Sequence, residues 1–299
     1  MSPDEVKQQI RRWDKNAGDI KIISTGANNI VGLAGSVVYR FPFTKDALSL
    51  QLYEVELYKR LNNKLNVPVP QLIRTYEEPA CIAITRLDGD HISVDELAGL
   101  STKDLHGVIR QLLQFNIALN EVISPEIVAE LEKTYIANQL YDRLWLDYFS
   151  KHLEKARFPE QPWLEDLAHK QYAKWLDITS SSTLPRITIH EDLNDQNILF
   201  VDHKVSGILD FEECTVGTIA QELRPLFRMG EQAVQIAIDE YSDLTGILID
   251  LEEVKAWAVT QELGAYCRWF AKGDLSRPSF VRSQANLNRW LDSFQELAK

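Results

Sequence analysis

The sequence predicts an α+β chain in two parts, a small, mostly stranded N-terminal part and a larger, mostly helical C-terminal one. Three observations predict it. Between residues 20 and 41 apolar and polar positions alternate with period two between short turns of small residues, the pattern of a half-buried sheet. From residue 103 onward apolar residues recur at helical spacing. Between these regions Arg86-Leu87-Asp88-Gly89-Asp90 breaks both patterns, so the boundary is set there, dividing the chain into 1–88 and 89–299.

Residues 3–17 read as an amphipathic helix with Val6, Ile10 and Trp13 on one face. Strands follow at 20–24, 30–33 and 36–41, separated by turns at 25–29 and 34–35. The first turn holds one glycine, Gly26, and is either an ordinary hairpin turn or one that lays backbone N–H groups over phosphates. In the third strand Val37, Tyr39 and Phe41 face one way, Val38 and Arg40 the other. Thr44 is an N-cap, with Asp46 in the first turn to complement the helix dipole. The helix at 45–65 buries Leu50, Leu57 and Leu61 and sets Glu54 on or beside that face. A carboxylate there wants a cation, and Arg40 and Lys45 are the candidates. Pro68 and Pro70 end the helix, 71–76 is extended, and the unbroken apolar run ACIAIT at 80–85 is a buried strand.

Beyond the boundary, helices are predicted at 103–123, across 125–157 as one or two segments, at 162–178, and near 230–245, 251–272 and 278–298, with Asp250 and Ser276 just ahead of the last two. The segment 217–229 carries Glu222 near Arg224. With 299 residues, 45% of them hydrophobic and 25% charged, the composition is that of a soluble globular protein. The net charge of −12 argues against nucleic acid or an anionic membrane as partner and suits a small cationic substrate. Cys81, Cys214 and Cys267 are odd in number and widely spaced, which speaks against a disulfide framework or zinc site and for a reducing cytoplasm. The N-terminus lacks an apolar core of the signal-peptide kind, and no apolar run is long enough to span a bilayer.

The chain is organised around residues 186–213, read as strands at 186–189, 197–201 and 205–211 with a polar loop at 190–196. A two-residue turn at His203-Lys204 would set Asn197 opposite Asp210. From Glu191 to Glu213 there are seven carboxylates (Glu191, Asp192, Asp195, Asp202, Asp210, Glu212, Glu213) against one full positive charge between them, Lys204. Carboxylates crowded in this way need a cation among them, and Asp and Asn oxygens are hard ligands suited to Mg²⁺. The order His190-x-Asp192-x4-Asn197, then Asp210-Phe211 on a strand, repeats the spacing of a kinase catalytic loop and its metal-binding strand.

Four motifs together resemble the aminoglycoside phosphotransferase (choline-kinase-like) family, which shares the two-lobed protein-kinase fold. They are VVYRFPF (37–43), YEVELYKRL (53–61), IHEDLNDQN (189–197) and GILDFEE (207–213). The resemblance implies a nucleotide-binding lobe at 1–88 and a helical lobe at 89–299 with the catalytic loop and substrate site. It implies Asp192 as catalytic base, Asn197 and Asp210 as Mg²⁺ ligands, and Arg40 with Glu54 as the phosphate-positioning pair. Ile84, Thr85 and Leu87 would line the base slot, while His190 and Glu222 would support the catalytic loop. The implied activity is transfer of the γ-phosphate of ATP or GTP to a substrate hydroxyl, first of all on an aminoglycoside-type antibiotic, by a cytoplasmic monomer that confers resistance. Glu213 is the candidate contact for a substrate amine, with Glu231, Asp239 and Glu262 beside it. Macrolides, choline and other small alcohols or amines are alternative substrates, and a catalytically silent nucleotide-binding regulator is an alternative function. A metal-dependent hydrolase would want further histidines near the carboxylates, and His91, His106, His152 and His169 are distant in sequence. The chain departs from the family pattern at Arg40, where the family has Lys, and at Glu212, where protein kinases have Gly. It departs again at Glu213, where this family often has Asp, and at Asn120, where the family has His.

Overall fold

A computed structural model of the 299-residue chain describes residues 1–24, 28–136, 145–291 and 294. Residues 25–27 of the turn predicted at 25–29 lie outside the described residues, as do part of the stretch predicted helical at 125–157 and most of 292–299. Contacts along the chain group it into two compact units, residues 1–139 with 187–216, and residues 140–186 with 217–299. The fold is that of the protein kinases, α+β, with a five-stranded N-terminal sheet and a helical C-terminal part.

In the first unit the sheet is antiparallel in the order β1-β2-β3-β5-β4, with β1 at Ile20–Ile23, β2 at Asn29–Ala34, β3 at Val37–Pro42, β4 at Leu72–Glu77 and β5 at Ala80–Thr85. The predicted alternation holds. Tyr39 and Phe41 of β3 join Ile30 and Ala34 of β2 in a core with Val6 and Ile10 of helix α1 (Pro3–Trp13). Gly32 makes this packing possible, because a Cβ there would strike the Ile10 side chain. Helix α1 starts on a capping box, in which Ser2 accepts from the Glu5 N–H and the Glu5 carboxylate accepts from the Ser2 N–H. Val31, Leu33, Val38, Arg40 and Ile84 point to the opposite face of the sheet, where they line a cavity.

Helix α2 (Lys45–Leu61) is capped by Thr44, whose Oγ1 accepts from the Ala47 N–H at 3.1 Å. It buries Leu50, Leu57 and Leu61 together with Glu54, which is 0% exposed. The segment after β5, where the sequence placed the lobe boundary, is bonded to the hairpin β7–β8 (Ile198–Val201 and Lys204–Ile208), which follows the short strand β6 (Ile187–Ile189). Asp90 and Phe200 exchange N–H···O bonds of 3.0 and 2.9 Å, and Ser206 Oγ donates to the Asp88 carbonyl at 2.8 Å. Gly89, at φ +128°, lets the chain pass this close, since a Cβ would lie 2.9 Å from the Phe200 carbonyl oxygen.

The hairpin differs from its predicted register. Its turn is Asp202-His203, both in the left-handed region at φ 50° and 58°, and Lys204 begins β8 opposite Val201. A type I′ turn needs positive φ at both central residues, which Asp and His tolerate better than Lys. Pairing then shifts at Ser206, with Phe200 opposite Val205 but Leu199 opposite Gly207. Asn197 therefore faces Leu209, whose N–H donates to the Asn197 carbonyl at 2.8 Å, and not Asp210. The strand also stops at Ile208, short of the predicted Phe211, because Asp210 turns left-handed at φ 62°.

In the second unit, helices Trp145–Glu154, Pro162–Ser181, Leu251–Ala271 and Pro278–Trp290 pack around Leu153, Leu164, Val259, Leu263, Tyr266, Phe280 and Leu287. Asp250 caps the third of these, accepting from the Glu252 N–H at 2.9 Å. Among the described residues no helix is long and apolar enough to cross a membrane.

Candidate active site

The first unit holds a cavity of about 400 Å³ under the sheet face that carries Arg40. One part of its lining is apolar, with Val31, Leu33, Val38, Ile84, Leu87 and Leu199. The other part is polar, with Asn28, Asn29, Arg40, Asn197, Asp210 and Glu212. Six of the expected site residues therefore meet at one surface: Arg40, Ile84, Thr85, Leu87, Asn197 and Asp210.

Arg40 is the cation that meets Glu54. Its Nη1 donates to both Glu54 oxygens, at 2.8 and 2.7 Å, while Lys45 is exposed at the start of α2. Glu54 also accepts from the Tyr58 hydroxyl at 2.6 Å and from the Phe211 N–H at 3.0 Å, so helix α2 is bonded to the strand end that bears Asp210. The second arm of Arg40, Nη2, donates to Glu212 and lies 3.4 Å from Asp210 Oδ1. One guanidinium thus serves three carboxylates. Burial opposes its charge, but Glu54, Glu212 and Asp210 outweigh that and raise its pKa further. Burial likewise pushes the carboxyls of Glu54 and Glu212 up, reinforced by Asp210 and opposed by Arg40.

On the loop, Asp192 is half-buried and accepts from Asn194 Nδ2 at 2.6 Å and from Asn197 Nδ2 at 2.8 Å. Asn197 Nδ2 donates also to the Asp192 carbonyl at 2.9 Å, so both amide hydrogens are used and the carbonyl end is the one left to meet a cation. Asp192 itself is bonded to Asn197 but is not among the residues that line the cavity. His190 is fully buried and its Nε2 lies 2.9 Å from the Leu209 carbonyl oxygen. Its ring packs edge-on against Phe211 with centroids 4.7 Å apart. Burial lowers its pKa to about 4, so the ring is neutral and donates from Nε2. The Asn197 carbonyl and the half-exposed Asp210 carboxylate are hard oxygen donors on one wall, the donor type that Mg²⁺ takes.

A family model described as the phosphotransferase enzyme family matches residues 19–270. The chain belongs to that family. No curated protein matches it in sequence. Among solved structures, this phosphotransferase is similar to the GDP complex of wild-type aminoglycoside 2'-phosphotransferase-IIIa, at 16% identity and TM-score 0.76, covering 97% of this chain and 98% of that one. It is similar to the streptomycin–ATP ternary complex of APH(2")-IIa, at 17% identity and TM-score 0.67, with 99% and 98% covered. Macrolide 2'-phosphotransferase MphH from Brachybacterium faecium matches at 17% identity and TM-score 0.64, with 96% and 98% covered.

Four further positions of this phosphotransferase bear on the expectations. Glu213 is half-buried beside Glu212 and does not line the cavity, and Glu222 is buried in the short helix Ile219–Leu223 of the second unit. Glu262 is 2% exposed and is gripped by Arg228 and Ser283, so it is not placed to meet a substrate amine. Asn120 accepts from the Thr188 N–H at 2.9 Å and ties its helix to the strand ahead of the loop at 190–196.

Sequence reasoning missed Asn28, Asn29, Tyr58 and His91. His91 lines the cavity with its Nδ1 3.2 Å from the Ile198 carbonyl oxygen, although the sequence sets it far from the carboxylates. Glu212 was read only as a departure. A signal for it was present, since an arginine in place of a lysine carries a second arm that calls for a second carboxylate.

Proposed function

We propose that this phosphotransferase transfers the γ-phosphate of ATP or GTP to a hydroxyl of a small, cationic molecule, with an aminoglycoside-type antibiotic as the first candidate. The observation that carries the reading is the meeting, at one cavity, of Asn197, Asp210 and Arg40, with Asp192 bonded to Asn197 and Glu54 to Arg40. The apolar part of the cavity, with Ile84, Thr85 and Leu87, takes the base, and Arg40 addresses the phosphates from the polar part. Residues 1–88 form the nucleotide-binding lobe and 89–299 the lobe that brings the loop and the acceptor. Asn197 and Asp210 hold Mg²⁺, which when bound neutralises charge developing on the phosphates. Asp192 takes the proton of the acceptor hydroxyl, and Asn194 and Asn197 hold its carboxylate in place for this. Neutral His190 holds the loop on the Leu209 carbonyl and so sets the distance between Asp192 and Asp210. Glu213 is kept as the contact for a substrate amine.

The solved relatives are named for both aminoglycosides and macrolides, so the panel of acceptors must include both. Nucleotide consumption should be measured with ATP and GTP over aminoglycosides, macrolides, choline and small alcohols, with Mg²⁺ and with chelator. Acceptor-dependent consumption with an aminoglycoside is expected. Tight nucleotide binding without turnover on any acceptor would favour the silent regulator instead.

A further inference from the structure

Glu212 is 4% exposed and is held by three donors that also line the cavity. They are Arg40 Nη2, Asn28 Nδ2 at 2.8 Å and Asn29 Nδ2 at 2.9 Å. A pair of anionic oxygens ringed by a guanidinium and two amides is the environment that a phosphate takes. Glu54 is different in kind. It does not line the cavity, and it is bonded from behind by the Tyr58 hydroxyl and the Phe211 backbone as well as by Arg40. Glu54 is therefore fixed, while Glu212 rests on groups that face the open space.

We propose that Glu212 is a built-in stand-in for the donor phosphate. Its carboxylate occupies the outer arm of Arg40 and the two asparagines, and it gives them up when a nucleoside triphosphate enters. This rests on the nucleotide reading above and deepens it. The ion pairs support it: Arg40 already answers Glu54, Asp210 and Glu212 at once, so at its outer arm a triphosphate meets a carboxylate, and repulsion from it, until Glu212 yields or a cation arrives. Competition of this kind lowers apparent affinity by the fraction of molecules in which the phosphate groove is open. Two or three charge-assisted bonds are enough to hold that fraction at about one in ten or below. Glu212 thereby sets how strongly nucleotide binding depends on Mg²⁺, and among the described residues no other that faces the cavity holds all three donors.

The test is equilibrium binding of ATP and of GTP by calorimetry, on the full chain, with Mg²⁺ and with chelator, for the natural protein and Glu212→Gln. The variant is expected to bind metal-free nucleotide about tenfold tighter, and its gain in affinity on adding Mg²⁺ is expected to shrink by a similar factor. Unchanged metal-free affinity overturns the proposal. Affinity weakened only when Mg²⁺ is present overturns it too, and marks Glu212 as a cation ligand. Should Glu212→Gln unfold, Glu212→Asp withdraws the carboxylate by one methylene and carries the same test, with a smaller effect in the same direction. If neither protein binds any nucleotide while thermal unfolding shows both folded, the nucleotide reading falls and the proposal with it, an outcome distinct from the other two.

Discussion

Two buried arginines in this molecule do different work. Arg228, in the second unit, is 7% exposed, and its Nε and Nη2 both lie 2.9 Å from Glu262 Oε1, while Ser283 Oγ donates to Oε2 at 2.6 Å. Burial opposes the charge on Glu262, but Arg228 and Arg282 hold its carboxyl below the ordinary range. Arg40, in the first unit, is 8% exposed, yet it serves three carboxylates and opens onto a cavity. At the first site the cations and the carboxylate answer one another, and none of them lines the cavity that Arg40 faces. At the second, one guanidinium is divided among three carboxylates and faces a cavity, an arrangement found where a further charged group takes part. Burial and ion pairing alone therefore do not mark a functional site; a shared cation that faces a cavity does.

The hardest blow to this contrast would come from chemistry. Asp192→Ala should lower turnover by about 10²–10⁴ with nucleotide affinity nearly unchanged, measured by steady-state kinetics and calorimetry. Full turnover in that variant would remove Asp192 from its role. Next in size, Arg228→Ala leaves Glu262 buried without its main partner and should destabilise the protein by about 3–5 kcal/mol in chemical denaturation, leaving the nucleotide affinity of the folded protein unchanged. Lost affinity without lost stability would erase the distinction between the two arginines.

His190 sharpens the comparison through pH. Its pKa falls from 6.5 to about 4 on burial, so between those values the unfolded chain binds the extra proton and the folded one does not. Its contribution is complete above pH 6.5 and is lost as pH falls toward 4, about 3 kcal/mol in all. Denaturation midpoints measured from pH 7 to 4 should show that loss, and His190→Gln should flatten it; an equal slope in both would place the titration elsewhere. The smallest effect is expected from Arg40→Lys. An ammonium can hold Glu54 but cannot span to Glu212 with the same planar fork, so nucleotide affinity should change by about tenfold or less, with stability barely moved. A variant that fails to fold would show Arg40 to be as structural as Arg228.

Much of this site was legible before any coordinates. The period-two alternation put Arg40 on the face opposite Tyr39 and Phe41, and the helical spacing of Leu50, Leu57 and Leu61 carried Glu54 inward to meet it. The spacing of Asp192 and Asn197 on one short loop already brought them within reach of each other. The hairpin register was not legible. It turned on which two residues accept positive φ, and Asp202-His203 lacks the Asn-Gly or Asp-Gly signature that would have announced it. His91 was dismissed on sequence distance, although strand pairing near Asp90 brings it to the cavity wall.

The amino-acid sequence by itself determined the element types, the polarity of each face and the identity of the groups on the loop at 190–196. Those are short-range matters, settled by side-chain periodicity and by the few residues between one functional group and the next. Only the tertiary structure decided that Arg40 answers three carboxylates at once and that Asn28 and Asn29 close around Glu212. Such partners lie far apart along the chain, and nothing local encodes their meeting. They find each other because apolar surfaces bury together, and the polar groups carried in with them must then satisfy one another.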